Sequence, residues 1–188
     1  MTTRTARFVV VLSALLLGGL ATTGSRGELV VRSDGPVINP FGQRVAAYTR
    51  LREQIITSLL EDGFDPTADQ GREFRNRLGL AIREARRQAQ PGGIFCEEVA
   101  GRMRQMVWQA LDGADDILSE VPKVASVRVN DFYPEGEPLG TVPPSLLRQL
   151  DPLPQDLQYR FLATSLILLD VDTLLIVDVI PDAFRRSS

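Results

Sequence analysis

Asp170 and Asp172 stand one residue apart within the apolar stretch "LILLDVDTLLIVDVI". Carboxylates at alternating positions open calcium loops, which also require further oxygen ligands, a glycine for the sharp turn and a closing glutamate. In this chain Leu174 falls at the third ligand position and no glycine follows. Asp178 and Asp182 lie too far along to complete a loop locally. The pair therefore reads as solvated turn carboxylates, and no metal ligand is assigned.

Cys96 is the one cysteine, so no intrachain disulfide can form. It opens a predicted helix, whose dipole favours a thiolate, while Glu97 and Glu98 oppose one. The chain has no histidine, which removes the commonest general base and the commonest transition-metal ligand together. No catalytic or cofactor-binding residue is assigned on these grounds. Cys96 reads as a helix cap or a small buried group. Its functional alternative is an intermolecular thiol that would link two copies into a homodimer.

A basic stripe is the other candidate. At about 100° per residue, Arg72, Arg75, Arg83, Arg86 and Arg87 fall within roughly 120° of helical arc. They lie opposite Phe74, Leu78, Ile82 and Ala85. Guanidinium forks suit carboxylates and phosphates, so an envelope protein or an anionic surface is the partner they would contact. Glu73 and Glu84 interrupt the stripe, and a solvated face is its plainer reading.

The elements that must hold these residues are legible from spacing. Asn39 and Pro40 form a cap and a first helical residue. Phe41, Val45, Tyr48, Ile55 and Leu59 then recur at helical intervals as far as Glu61. Asp65-Pro66 repeats the start signal for a second helix bearing Phe74, Leu78, Ile82, Ala85 and Ala89. A third helix from Cys96 aligns Val99, Met103, Met106, Val107, Ala110 and Leu111, and continues past a bend at Gly113 through Ile117 and Leu118 to Pro122. Three such helices over residues 38–122 are expected to pack as an antiparallel bundle, with Trp108 at the edge of its core.

Residues 123–184 change character. "KVASVRVND" alternates valines with polar residues and reads as a half-buried strand. A proline-rich arm follows from Pro134 to Pro154, broken by the short helical "SLLRQL". Three strands are expected next, at Tyr159–Leu162, Leu166–Leu169 and Leu174–Ile180, as an antiparallel meander packed on the helices. A membrane helix is excluded there, because each central aspartate would cost about 3 kcal/mol at a bilayer centre. With both faces of the middle strand apolar, the bundle would cover one and the proline-rich arm the other. The fold class is α+β.

The N-terminus carries Arg4 and Arg7, then an apolar run from Phe8 to Ala21, then small residues. That order marks a signal peptide within residues 1–25, with cleavage near Ala21 or Ser25. The run is too short for a span, which takes about 20 residues. Cleavage after Ala21 would take the formal charge from −3 to −5. A periplasmic or secreted protein of acidic balance follows, with no stable transmembrane span after cleavage and no general affinity for nucleic acid.

The runs "IFCEEVAGRMRQMV", "VRVNDFYPEGEPL", "PPSLLRQLDPLPQDLQYRF" and "LILLDVDTLLIVDVIPDAF" together resemble an uncharacterised family of exported bacterial proteins. That family pairs a helical N-terminal half with the same ending. In it, threonine and proline follow the phenylalanine where Cys96 and Glu97 stand here, and an asparagine precedes the final strand where Leu174 stands. Pro143 to Ile180 more loosely resembles the C-terminal module of periplasmic nickel and cobalt homeostasis proteins. The first resemblance implies export and carries no known activity; the expectation of a non-catalytic binding or structural module rests on the missing catalytic constellations. The second implies a metal-responsive factor. A small hydrolase built on two carboxylates in a cleft is the remaining alternative, since it needs only two acids.

Overall fold

In the computed structural model, residues 39–67, 70–111 and 118–184 are described. The signal region at residues 1–25, the bend at Gly113 with Ile117, and the tail from residue 185 lie outside them. The elements are α1 (Pro40–Glu61), α2 (Gly71–Ala85), α3 (Glu97–Ala110), a single turn α4 (Pro144–Leu147), and strands β1 (Leu157–Leu162), β2 (Ser165–Asp170) and β3 (Leu175–Ile180). Helices followed by a three-stranded antiparallel sheet make the fold α+β.

Local chemistry sets the start of α1 as its sequence reads. The Asn39 side chain accepts from the Phe41 N–H at 3.1 Å, and Pro40 occupies the first turn where its missing donor is not needed. The second start signal fails. Asp65 closes only a turn, accepting from the Thr67 N–H at 2.8 Å, and α2 begins at Gly71. Phe74, Leu78 and Ile82 are buried as their spacing requires, but Ala85 is exposed. α1 packs on α2, and α3 packs on α4. Trp108 is 56 % exposed, not at a core edge, because the buried stripe of α3 runs through Val99, Met103 and Val107.

The sheet is a meander in the order β1-β2-β3. A two-residue turn at Ala163 and Thr164 joins β1 to β2, pairing Leu162 with Ser165 and Leu157 with Asp170. Between β2 and β3 the register shifts at Leu168 and Leu169, which pair with Asp178 and Ile176. The extra residue, Val177, breaks the alternation of β3. Leu175, Val177 and Ile180 join the helix-side core, whereas Ile176 and Val179 join the opposite one.

Every residue of β2 and β3 is buried, so both sheet faces need cover. The helix-side core runs from Phe41, Leu78 and Met103 through Leu146 and Leu150 to Phe161, Leu166 and Leu168. Each such fully buried side chain stabilises by about 1.5–3 kcal/mol. Near-parallel rings of Phe41, Phe95 and Tyr159, with centroids 5.9–6.5 Å apart, tie the start of α1, the loop before α3 and β1 together. On the far face Leu162, Ile167, Leu169, Ile176 and Val179 are covered by Tyr133, Val124, Val127 and Val129.

That cover corrects two expectations. The proline-rich segment, through Val142, Leu146 and Leu150, packs into the helix-side core, and residues 124–133 cover the other face through Val124, Val127, Val129 and Tyr133, while Phe132 packs on the helix side. Those residues form no regular strand. They lie over the sheet as a layer and meet β3 at a few points, with Asn130 N–H donating to Ile176 O at 2.8 Å and Tyr133 N–H to Leu174 O at 2.7 Å. Asn130 has a φ of 70°, which ends any continuous ladder.

Among the described residues, Gly140 makes a close backbone approach that a side chain would forbid. Phe161 N–H donates to its carbonyl at 3.2 Å, and a Cβ at this position would lie 2.0 Å from Phe161 O.

Candidate functional site

The charged residues that chemistry would call on are gathered between the helices and the sheet. Arg52 follows Phe41, Val45 and Tyr48 on the buried stripe of α1, so its guanidinium is carried inward. It meets three carboxylates. Nε lies 2.9 Å from Asp170 Oδ2 and 3.3 Å from Asp156 Oδ2, and Nη2 pairs with Asp172. Burial works against the Arg52 charge, yet Asp170, Asp156 and Asp172 outweigh it and raise its pKa above the ordinary arginine value.

Asp170 is fully buried, which overturns its reading as a solvated turn carboxylate. Tyr48 OH donates to its Oδ2 at 2.7 Å alongside Arg52, and Thr173 N–H donates to Oδ1 at 3.1 Å. A buried carboxylate is tolerable because its lone pairs are met by a cation, a phenol and a backbone donor. Burial, then the charge and hydrogen bond of Asp170, hold the Tyr48 phenol protonated far above its ordinary range. Asp172, half-exposed, keeps the turn position expected of it and gains an ion pair.

A second buried aspartate lies in the middle of β3. Asp178 accepts four backbone N–H groups: Gly92 and Val179 on Oδ1 at 3.0 and 2.9 Å, Ile94 and Phe95 on Oδ2 at 2.6 and 2.7 Å. The loop before α3 is thus wrapped around an internal anion. Gly92, at φ 87°, permits the turn that aims these donors inward. From outside, Arg44 Nη1 donates to the carbonyls of Gly92 and Gly93 at 3.3 and 2.8 Å.

The arginine stripe divides. Arg86 turns inward: its guanidinium lies 5.2 Å from the Tyr48 ring centre, and Nη2 donates to Val177 O at 2.8 Å. Its Nη1 is buried with no hydrogen-bond partner among the described residues. Burial lowers its pKa, with Tyr48 and Asp178 opposing. Arg83 is half-exposed, 3.9 Å from Asp131 and 5.6 Å from the Phe132 ring centre, and Arg87 pairs with Glu84 at 2.9 Å. Arg72 and Arg75 are exposed, and no described residue forms an ion pair with either. Cys96 occupies the cap position of α3 without a side-chain hydrogen bond there, half-buried against the helix-side core.

Sequence reasoning missed Arg52, Asp178 and Asn130. A signal existed for two of them. Arg52 continues the 41-45-48 apolar spacing, and Asp178 interrupts an otherwise aliphatic strand. Asn130 Nδ2 donates to Arg83 O and Arg86 O at 2.8 and 2.9 Å, satisfying carbonyls at the end of α2 across a separation that spacing cannot reveal.

Two of the open clefts that border this framework are of similar size. One is polar, about 460 Å³, lined by Thr49, Arg52, Glu53, Asp156 and Asp172 among others. The second, about 400 Å³, lies along β1 and is described below. Among the described residues no group of three or more Cys, Asp or Glu is arranged to hold a metal ion, and no helix is long and apolar enough to cross a membrane. No family model, curated protein or solved structure matches the chain.

Proposed function

We propose that this chain is an exported envelope protein that acts as a non-catalytic binding module. In this reading α1 to α3 form one helical cap, and the proline-rich segment is an arm strapped along the sheet. One observation carries it: the buried acids are engaged by donors of the protein itself. Asp170 and Asp178 are fully buried and occupied by protein donors. In the polar cleft Arg52 is paired with both Asp156 and Asp172, which leaves Glu53 as the one lining acid outside an ion pair among the described residues, where a carboxylate hydrolase needs two acids, one protonated and one free. The same guanidinium supplies the positive charge that a metal-responsive factor would take from an ion. The resemblance to exported bacterial proteins belongs to the same proposal and agrees with it.

What remains available for recognition is surface. Arg72 and Arg75 form the free end of the stripe, suited to an anionic partner, and Leu80 and Trp108 are exposed large apolar groups. A photo-crosslinking amino acid placed at Arg72 or Arg75 in intact cells tests the reading. Discrete adducts that disappear at high salt are expected. Absence of adducts from both positions would overturn the stripe as a contact surface.

A further inference from the structure

β1 is an outer strand of the sheet, and among the described residues its free edge meets other backbone at two points. Phe161 N–H donates to Gly140 O, and Leu157 N–H donates to Pro154 O at 3.1 Å. Residues 157, 159 and 161 therefore turn their backbone groups away from β2. Tyr159 lies between the two covered points, and neither its N–H nor its C=O meets another described backbone group along this edge. Its side chain points into the core, with the OH donating to Asp151 O at 3.0 Å, so the strand is fixed there.

A cleft of about 400 Å³ opens along this gap, with Val142, Leu147, Leu153 and Leu157 among its walls. From Leu157 to Phe161 an extended strand rises about 13 Å, room for three or four residues of a second extended chain. Charge decides what kind. Asp151 lines the cleft but is already engaged, with Asn39 on Oδ1 at 3.3 Å and Arg102 on Oδ2 at 2.7 Å. Arg160 lines it as well, forms no ion pair with a described residue, and carries a buried Nε without a partner; its Nη2 donates to Gln158. The uncompensated charge in the cleft is positive.

We infer that this cleft binds a short, extended, carboxylate-bearing peptide, which adds to the β1 edge by exchanging backbone hydrogen bonds with Tyr159 and places its acid on Arg160. Pairing to an exposed strand edge is an established route to peptide recognition, with main-chain bonds giving affinity and pockets giving selectivity. The inference rests on the binding-module reading and names a partner class for it.

The test is a nitrogen-15 NMR titration of the full-length chain. The probes are a pool of acetylated, amidated tetrapeptides with one fixed aspartate and a matched pool with asparagine in its place. The aspartate pool is expected to move the Tyr159 amide downfield and slow its hydrogen exchange, with the asparagine pool about tenfold weaker. Arg160→Gln should erase the difference between pools. Leu147→Glu, at an exposed position, should weaken both while the spectrum reports an intact fold. An unmoved Tyr159 amide at millimolar aspartate pool, or equal binding of both pools by the unaltered protein, overturns the inference. If adducts at Arg72 and Arg75 persist in that case, the cleft fails and the binding-module reading stands. If both fail, so does the reading.

Discussion

Arg52 of α1 and Asp170 at the end of β2 meet across 2.9 Å, 118 residues apart in sequence, and the carboxylate has no solvent exposure. Breaking a buried pair on one side leaves an uncompensated charge, which costs about 3–5 kcal/mol. Asp170→Ala is therefore expected to lower stability by that amount. Replacing Arg52 by Met, Asp170 by Leu and Tyr48 by Phe together should recover part of it, since no fully buried charge or phenol is then left unpaired, while the Thr173 N–H, the partly buried Asp156 and the half-exposed Asp172 lose a partner. Urea unfolding of the set decides. A triple variant as unstable as the single one would show that the pair stabilises beyond its own desolvation.

Asp178→Asn keeps the shape of the side chain and removes its charge. One end of the amide becomes a donor where Ile94 and Phe95, or Gly92 and Val179, also donate. The expected loss is about 2–4 kcal/mol, with faster proteolysis between Gln90 and Cys96. Limited proteolysis with mass mapping checks the second half, and an uncut loop would contradict it.

Leu174 sits at φ 56°, a left-handed conformation that costs a branched or bulky residue about 1–2 kcal/mol, and its side chain is 42 % exposed. Asparagine tolerates that conformation, and so little burial is lost that Leu174→Asn should stabilise by about 0.5–1 kcal/mol. A lowered urea midpoint would refute the strain argument.

Alkaline pH should weaken the fold. Burial, then the charge of Asp151, raises the Tyr159 phenol above its ordinary value, as burial and Asp170 raise Tyr48. Above about pH 10 the unfolded chain gives up phenolic protons that the native chain keeps, so it binds fewer of them. Stability is thus full below pH 10 and declines as pH rises. Tyr159→Phe, chosen because Arg86 complicates Tyr48, should flatten the fall in urea midpoint between pH 9 and 11; an unchanged slope would rule Tyr159 out as its source.

What could be read in advance was local. The Asn39-Pro40 start, the α2 face of Phe74, Leu78 and Ile82, and three strands within two residues of their positions all follow from neighbouring side chains and periodicity. Residues 124–133 misled because valines near alternate positions fit a strand or a covering layer equally, and Asn130 in a left-handed conformation favours the layer. Asp170 misled for a different reason. Its partners lie 118 and 122 residues away, and nothing near it announces them. Arg86 belonged by angle to the exposed stripe, but the helix ends at Ala85 and the next residue departs from that angle.

The loop that closes around Asp178 gives the chain an order of assembly. The N–H groups of Gly92, Ile94 and Phe95 wait for an acceptor on a strand about 84 residues later, and Tyr48 and Arg52 wait longer still for Asp170. The N-terminal helices therefore cannot complete their interior while the last strands are unsynthesised, and the high sequence separation of these contacts slows closure further. A nascent polypeptide ending before Ser165 should remain open and protease-sensitive. Extension through Ile180 should bring protection of both halves in a single step.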